Sequence, residues 1–251
     1  MQKILTPAER LIVAADFRPT ARNYGRFWVM DEVLDLAVKL KRTGVCIKVN
    51  SALRALGYDL IDRIHEFNLR VFADLKLFDI SETLATDGAF LQETKPEFLT
   101  VACTAGVSAM QALKAELLET EVLGVTVLTS LKDTDTLAMF TCSTEEAVIR
   151  FAQVAADAKI DGLISSAKEA EMLRAKFGVV LSLNTPAIRP TWAIVPGDDQ
   201  NSDRIMTPAK AIKAGADRIV IGRPITKALS PYDAVMRTLD EIASAVEWSE
   251  R

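Results

Sequence analysis

Short apolar runs rich in valine and isoleucine alternate with longer amphipathic segments along the chain. This alternation is typical of βαβ units, in which right-handed crossovers join parallel strands. The predicted strands are Leu11–Asp16, Val45–Asn50, Arg70–Asp74, Phe98–Ala102, Val122–Leu128, Gly162–Ser166, Val179–Asn184 and Arg218–Gly222. The predicted helices are Met30–Arg42, Ala52–Phe67, Glu82–Lys95, Ser108–Leu118, Thr144–Lys159, Ala167–Phe177, Pro208–Ala214 and a last one from about Pro231 to Val246.

Eight strand–helix units in 251 residues predict an α/β fold, a closed (β/α)8 TIM barrel that occupies residues 1–251 as a single domain. An open doubly wound sheet is less well supported, because no Gly-x-Gly-x-x-Gly motif follows the first predicted strand. Two helix starts agree with this division. Ser143 is a predicted N-cap, and Pro208 follows Thr207 at the first position of a helix.

Charge and hydropathy narrow the function classes. The net charge of −4 argues against nucleic acid or an anionic membrane as a partner, since both attract a basic protein surface. The first residues lack the apolar core of a signal peptide, and no run approaches ~18 apolar residues. We therefore expect a cytoplasmic protein.

The cysteines and the single histidine indicate neither a metal site nor a catalytic triad. Cys46, Cys103 and Cys142 are far apart and form no Cys-x-x-Cys pattern, so we expect no disulfide and no zinc site. His65 lies in the amphipathic stretch Leu60–Leu69 and is expected to be an ordinary helix residue. One histidine also leaves little room for a serine or cysteine triad.

The predicted strands end in polar residues, and in a barrel of this kind the chemistry lies at those ends. Burying a lone charge there is costly, so the charged residues are candidates for a shared site. The candidates are Asp16, Lys48, Asp74, Lys76, Asp79, Thr129, Ser130, Arg189, Gly222 and Arg223.

Asp74 and Lys76 are two positions apart, so in an extended strand their side chains point to the same side. Lys48, near the end of the neighbouring strand, could reach both of them. Opposite charges in such an array hold each group in its charged form. The ammonium could then donate a proton and the carboxylate could repel a substrate anion. A purely structural ion-pair network at the barrel rim fits the same spacing.

The last strand ends in Gly222 and Arg223, which fit a phosphate site. Glycine allows close approach of the backbone, and the guanidinium of arginine matches phosphate geometry. A strand-end glycine beside a solvated arginine is the alternative. Asp16 could instead cap the loop that follows it, and the Thr129–Ser130 pair could be a helix N-cap.

Five motifs, in order, resemble those of the orotidine 5′-phosphate decarboxylases. They are DLKLFDISET at Asp74–Thr83, LTS at Leu128–Ser130, TPAIRP at Thr185–Pro190, RIMTP at Arg204–Pro208 and IGRP at Ile221–Pro224. The resemblance runs from Leu11 to about Ala228. It implies a homodimeric barrel that needs no cofactor and converts orotidine 5′-phosphate to uridine 5′-phosphate and carbon dioxide. That reaction is the last step of de novo pyrimidine biosynthesis.

The resemblance also implies roles for the charged residues. Asp16 would hydrogen-bond a ribose hydroxyl, and Lys48 would contact the ribose and orient Asp74. Asp74 would face the substrate carboxylate, and Lys76 would protonate C6 after carbon dioxide leaves. Asp79 would belong to the catalytic set of the neighbouring subunit.

Other matched positions would bind substrate. Ile80 and Thr83, like Asp79, would reach the neighbouring subunit's site. Thr129, or the adjacent Ser130, would lie near the pyrimidine. The phosphate and its closing loop would be held by Arg189, Gln200, Gly222 and Arg223.

Three departures from the family pattern affect these roles. Phe78 stands where a histidine or another small or polar residue is expected. Ala187 stands where glycine is usual, so the backbone before Arg189 could differ. The stretch between Gln200 and the RIMTP motif is two residues longer than in the family, which makes Ser202 the alternative for the role of Gln200.

Two other functions compete with this one. Hexulose-phosphate synthases and keto-gulonate-phosphate decarboxylases resemble the chain in barrel and Asp-x-Lys-x-x-Asp motif, but they use magnesium held by a glutamate near the end of the second strand. Lys48 occupies that position here, and a lysine would repel the metal. A phosphate-binding barrel without catalysis, its charged array only structural, is the second alternative.

Overall fold

The computed structural model describes residues 4–20, 22, 25–193 and 206–249. Within these residues, eight parallel strands pair in sequence order, and the last pairs with the first to close a barrel. The strands are β1 Leu11–Ala14, β2 Cys46–Val49, β3 Arg70–Leu77, β4 Phe98–Ala102, β5 Glu121–Val125, β6 Gly162–Ile164, β7 Ser182–Thr185 and β8 Arg218–Ile221. The predicted (β/α)8 barrel is confirmed.

Helices connect the strands and cover the outside of the barrel. They are α1 Pro7–Arg10, α2 Arg26–Leu40, α3 Ser51–Leu56, α4 Asp59–His65, α5 Ser81–Thr94, α6 Val107–Glu116, α7 Asp133–Phe140, α8 Thr144–Asp157, α9 Ala170–Phe177, α10 Pro208–Lys213, α11 Arg223–Thr226 and α12 Pro231–Ser249. Short 3-10 turns lie at Cys103–Ala105 and Thr191–Ala193. None of the helices in the described part of the chain has the length and apolar character needed to cross a membrane.

The predicted helix Ala52–Phe67 is wrong as a single element, because it is divided into α3 and α4 at Gly57. This glycine has φ +90°, and its N–H bonds the carbonyl of Leu53 to end α3. A backbone with φ near +90° suits glycine and cannot continue a right-handed helix. The amphipathic pattern runs on across the break because both helices pack against the same side of the barrel.

Strand ends also differ from the prediction. β7 begins at Ser182 rather than at Val179, and the side chains of Val179 and Val180 are exposed. β5 ends at Val125, three residues before the predicted Leu128. Valine favours strands by propensity, but the pairing with neighbouring strands sets the limits.

The core has two layers, one inside the barrel and one between the barrel and its helices. The inner layer consists of Ile12, Ala14, Cys46, Phe72, Phe98, Leu123 and Val220. Leu11 and Val13 alternate with these residues and belong to the outer layer. Strands buried on both faces read as continuous apolar runs, which is why the sequence pattern identified them.

Two predicted helix starts are confirmed. The Ser143 hydroxyl accepts a hydrogen bond from the Glu146 N–H at the start of α8, and Thr207 does the same for Lys210 at the start of α10. His65 is the last residue of α4, and its Nε2 lies 3.2 Å from a carboxylate oxygen of Glu97. The thiols of Cys46, Cys103 and Cys142 are free and buried.

Candidate active site

A cavity of about 520 Å³ opens at the carboxyl ends of the strands, which we call the upper end of the barrel. The structure brings many of the sequence-predicted residues to its wall. These are Asp16, Lys48, Asp74, Lys76, Thr129, Arg189, Gly222 and Arg223. Apolar side chains such as Phe72, Val125 and Ile164 form its floor.

Two carboxylates and two ammonium groups alternate in one chain of ion pairs on this wall. The Lys48 Nζ lies 2.9 Å from both carboxylate oxygens of Asp16 and 3.1 Å from Asp74 Oδ2. The Lys76 Nζ lies 2.6 Å from Asp74 Oδ1. The side chains of Lys48 and Asp74 are nearly buried, whereas that of Lys76 is 32% exposed and reaches the cavity.

Asp74 is held ionised by its neighbours. Burial by itself raises the pKa of a carboxyl group, because the charged form loses its hydration. The charges of Lys48 and Lys76, with hydrogen bonds from both, outweigh that effect and lower the pKa of Asp74 below its ordinary value. The cavity therefore presents a fixed carboxylate beside a fixed ammonium.

A bulge in β3 brings Asp74 and Lys76 together. Ala73 pairs with Leu99 and Leu77 with Val101, so β3 takes four steps where β4 takes two. Lys76 itself has φ +48°. The predicted proximity is therefore correct, but the assumption of a regularly extended strand is wrong, since extra residues in one strand bend it and redirect its side chains.

Sequence reasoning missed the residues that support this array. The Thr100 hydroxyl donates to Asp74 Oδ1 at 3.0 Å and accepts the backbone N–H of Lys76 at 2.9 Å. Arg54 donates to Asn50 Oδ1 at 2.9 Å and to the carbonyl of Leu75 at 2.5 Å. A polar residue inside the apolar strand Phe98–Ala102 was the available signal for Thr100.

The structure bears on two alternatives left open by the sequence. Both carboxylate oxygens of Asp16 receive the Lys48 ammonium, so Asp16 takes part in the charge array. Helix α7 begins at Asp133 with Lys132 as its N-cap, so the N-cap interpretation of Thr129 and Ser130 is wrong. Thr129 lines the cavity instead.

The ends of β7 and β8 bring two arginines to the cavity. Arg189 follows β7, and Arg223 is the first residue of α11, a helix that the sequence pattern did not predict. Ala187 has φ +62°, a conformation that favours glycine. Alanine at this position therefore leaves the glycine-type backbone before Arg189 in place.

Some predicted residues do not reach this cavity. Asp79, Ile80 and Thr83 are exposed and lie outside its wall, and Asp79 Oδ1 accepts the N–H of Ile80 at 2.7 Å. Gln200 and its alternative Ser202 lie outside the described residues.

The wall can polarise and protonate a bound ligand. A cationic nitrogen fixed at a cavity stabilises negative charge that develops beside it, without solvent reorganisation. The two arginines can hold an anionic group such as phosphate by charge-assisted hydrogen bonds. The arrangement therefore suits an anionic substrate whose reaction generates negative charge near Lys76.

Comparison with known proteins gives a consistent result. A model of the orotidine 5′-phosphate decarboxylase / HUMPS family matches residues 9–238. The orotidine 5′-phosphate decarboxylases of Saccharophagus degradans and Afipia carboxidovorans are 34% and 38% identical, and each alignment covers 95% of this chain and 97% of the relative. The crystal structure of orotidine 5′-phosphate decarboxylase from Lactobacillus acidophilus matches with a TM-score of 0.75 at 25% identity, over 93% of this chain and 99% of that one. The chain described here belongs to the orotidine 5′-phosphate decarboxylase / HUMPS family.

Proposed function

We propose that this protein decarboxylates orotidine 5′-phosphate to uridine 5′-phosphate and carbon dioxide, the last step of de novo pyrimidine biosynthesis. The observation that carries the proposal is the alternation of Lys48, Asp74 and Lys76 on the wall that also holds Arg189 and Arg223. Family membership and the names of the relatives support the same substrate.

Lys76 is the proton donor in this mechanism. Loss of carbon dioxide breaks the bond between C6 and the carboxylate carbon, and the electron pair stays on C6 in the plane of the pyrimidine ring. The ring π system cannot delocalise that pair well. The ammonium of Lys76 stabilises the developing charge and then transfers a proton to C6, and solvent reprotonates the neutral amine afterwards.

Asp74 has two tasks. Its carboxylate holds the Lys76 ammonium at 2.6 Å, which limits where the proton can be delivered. It also faces the substrate carboxylate, and because its pKa is lowered it stays charged at neutral pH. Repulsion between the two carboxylates favours loss of the neutral product, a contribution of the ground-state type. Lys48 keeps Asp74 in place from the other side.

The remaining residues bind the nucleotide. Arg189, Arg223 and the backbone at Gly222 hold the phosphate, Asp16 and Lys48 hold the ribose, and Thr129 lies near the pyrimidine. Binding energy from the distant phosphate can be used to order the site around the reacting carbon. Gln200 is assigned to the phosphate loop by resemblance.

The reaction as proposed needs no cofactor or metal. The family description also covers sugar-phosphate enzymes, so the distinction rests on Lys48 and on the names of the relatives. Lys48 forms ion pairs with Asp16 and Asp74, and its ammonium would repel a metal cation at that position. The proposed enzyme works in the cytoplasm.

The proposal includes a homodimer with shared sites. Asp79, Ile80 and Thr83 are exposed beside the upper end, next to the exposed ring of Phe78. In the proposed dimer these positions enter the site of the second copy, and the contact would cover the exposed side chains of Phe78 and Ile80.

The test is a spectrophotometric assay of orotidine 5′-phosphate consumption in excess chelator. Wild-type protein should turn over fully, whereas Lys76→Ala should lose at least about 1000-fold in kcat while still binding uridine 5′-phosphate. Lys176→Ala, at an exposed lysine on α9 that does not line the cavity, is the matched control. A magnesium requirement would support the sugar-phosphate alternative, and full turnover by Lys76→Ala would refute the proposed mechanism.

A further inference from the structure

Thr100 lies in the middle of β4 and is fully buried. It is the one polar residue in the sequence Phe-Leu-Thr-Val-Ala of that strand. Its hydroxyl lies between the two groups to which the reaction is assigned, 3.0 Å from the carboxylate of Asp74 and 2.9 Å from the backbone nitrogen of Lys76.

The backbone contact provides a hydrogen-bond acceptor for an N–H group at the bulge in β3. The β3–β4 pairs on either side of the bulge are Ala73 with Leu99 and Leu77 with Val101, so the N–H of Lys76 falls between them. A buried N–H without a partner costs free energy comparable to a lost hydrogen bond. The Thr100 hydroxyl accepts this N–H and so holds the backbone from which the Lys76 side chain leaves, at φ +48°.

The second contact fixes the carboxylate. The proton of the Thr100 hydroxyl goes to Asp74 Oδ1, which is also the oxygen that receives the Lys76 ammonium at 2.6 Å. The other oxygen, Oδ2, receives Lys48 at 3.1 Å. One hydroxyl therefore sets both the rotation of the Asp74 carboxylate and the backbone of Lys76.

We propose that Thr100 is a positioning residue for the decarboxylation, one that sets the geometry of Asp74 and Lys76 without touching substrate. The inference rests on the proposed roles of those two residues. Misplacing a reacting group by about 1 Å can cost on the order of 100-fold in rate. The effect should fall on kcat, because the phosphate and ribose contacts come from other strands.

The experiment compares two threonines under the same change. Thr100→Val keeps the shape and removes the hydroxyl, and we expect kcat to fall by about 10- to 100-fold. The KM for orotidine 5′-phosphate and the Kd for uridine 5′-phosphate should stay within about threefold, because Thr100 does not touch the substrate. A fall in kcat at nearly constant KM places the loss in the chemical step. Thr100→Ser, which keeps the hydroxyl, should recover most of the kcat. Thr238→Val is the control: Thr238 is also fully buried, but its hydroxyl bonds the carbonyl of Ala234 within α12.

Three outcomes would overturn the inference: a kcat for Thr100→Val equal to that of Thr238→Val, no recovery in Thr100→Ser, or a loss confined to KM. If Thr100→Val does not fold, Thr100→Ala replaces it in the same comparison. The proposed function is judged separately. An inactive wild-type protein refutes that function and a fully active Lys76→Ala refutes its mechanism, whereas an active wild type, an inactive Lys76→Ala and a normal Thr100→Val refute only the role of Thr100.

Discussion

The two ends of the barrel both carry carboxylates paired with cationic side chains at the limits of apolar strands, but at one end the carboxylates also bind the backbone of the strands. At the amino ends of the strands, which we call the lower end, carboxylates accept hydrogen bonds from backbone N–H groups at strand starts. The pairs are Glu97 with Val71 at 2.6 Å, Asp161 with Val122 at 2.7 Å and Asp217 with Leu183 at 2.7 Å. At the upper end, Asp16 and Asp74 accept from lysine ammonium groups beside the cavity.

Arg218 adds contacts between side chains at the lower end. Its guanidinium makes two hydrogen bonds to the Glu121 carboxylate, at 2.8 and 2.9 Å, and lies 4.4 Å above the ring of Phe98. A third bond reaches Asn184 Oδ1 at 3.3 Å. These contacts occupy both terminal nitrogens of the guanidinium, whereas its buried Nε has no hydrogen-bond partner among the described residues.

The backbone differs between the ends as well. Asn68, Lys95 and Lys159 have positive φ at turns that lead from helices into strands at the lower end. Left-handed residues commonly end helices in this way. At the upper end Lys76 and Ala187 have positive φ on the wall of the cavity.

The charged residues at the two ends therefore have different roles. A carboxylate bonded to strand N–H groups is part of the fold, because exchanging its partner would leave a backbone donor unpaired. An ammonium paired with a side chain at a cavity can exchange or share that partner when a ligand enters. Substitutions at the upper end should therefore change activity more than stability, and substitutions at the lower end should do the reverse.

Arg223→Ala at the upper end tests the proposed phosphate contact and is expected to have a large effect on activity. Removing the guanidinium that we propose binds the phosphate should lower kcat/KM for orotidine 5′-phosphate by about 100-fold or more. Urea unfolding should show a free-energy change within about 0.5 kcal/mol, as for a surface residue. Arg150→Ala, an exposed arginine on α8, is the control for loss of charge. A stability loss without a loss of kcat/KM would contradict the comparison.

The upper end is also the end that we propose a second copy completes. Lys76→Ala and Asp79→Ala chains should each be inactive alone. After mixing, half of the dimers should contain both chains, each with one intact site of two, so about a quarter of wild-type activity should return. Activity is measured after subunit exchange has been verified by mass.

The control for the mixing experiment is a chain that carries both substitutions, mixed with Lys76→Ala. No combination of these chains assembles an intact site, so activity should stay at background. If the first mixture also stays at background although its subunits exchange, Asp79 does not serve a neighbouring site.

Arg218→Met tests the lower end. The change leaves Glu121 without its partner, and breaking a buried pair costs several kcal/mol. Because the Glu121 side chain is 37% exposed, water recovers part of that cost, and we expect a loss of roughly 2 kcal/mol in the free energy of unfolding. The kcat well below the unfolding transition should stay within about twofold, as expected for a site far from the chemistry.

Glu119→Gln supplies the matched control for Arg218→Met. It removes an exposed pair with Lys95 at 3.0 Å, in which both side chains are more than half exposed. Exposed pairs contribute little, so the change in unfolding free energy should stay within about 0.5 kcal/mol. Equal losses of unfolding free energy in the two variants would show that the Arg218–Glu121 pair is no more important to the fold than an exposed ion pair.

The sequence predicted the barrel because its strands are buried on both faces and therefore stand out as apolar runs. It predicted strand limits less well, since Val179 and Val180 have strand-like side chains but lie outside the paired region. Gly57 divided a predicted helix because one backbone angle mattered more there than the continuing amphipathic pattern.

The candidate site, like the fold, could be predicted from the sequence only in part. Position at a strand end was enough to find Lys48, Asp74 and Lys76, since parallel strands bring their carboxyl ends together. The bulge that joins Asp74 to Lys76 depends on the register with β4, which no local pattern encodes. Thr100 stands out in the sequence as a polar residue in an apolar strand, but its contacts with Asp74 and Lys76 depend on that register.

Ala187→Gly is expected to give the smallest effect, and one with the opposite sign to most substitutions. Alanine at φ +62° is strained, so glycine should relieve the backbone and raise the free energy of unfolding by about 0.5 kcal/mol, even after the greater entropy of the unfolded chain is counted. Ala243→Gly, inside α12, should instead lose about 1 kcal/mol, the usual cost of glycine in a helix. Urea unfolding of both variants measures the difference. If Ala187→Gly is as destabilising as Ala243→Gly, the cavity wall carries no strain at this position, and the contrast between the backbones of the two ends reduces to Lys76.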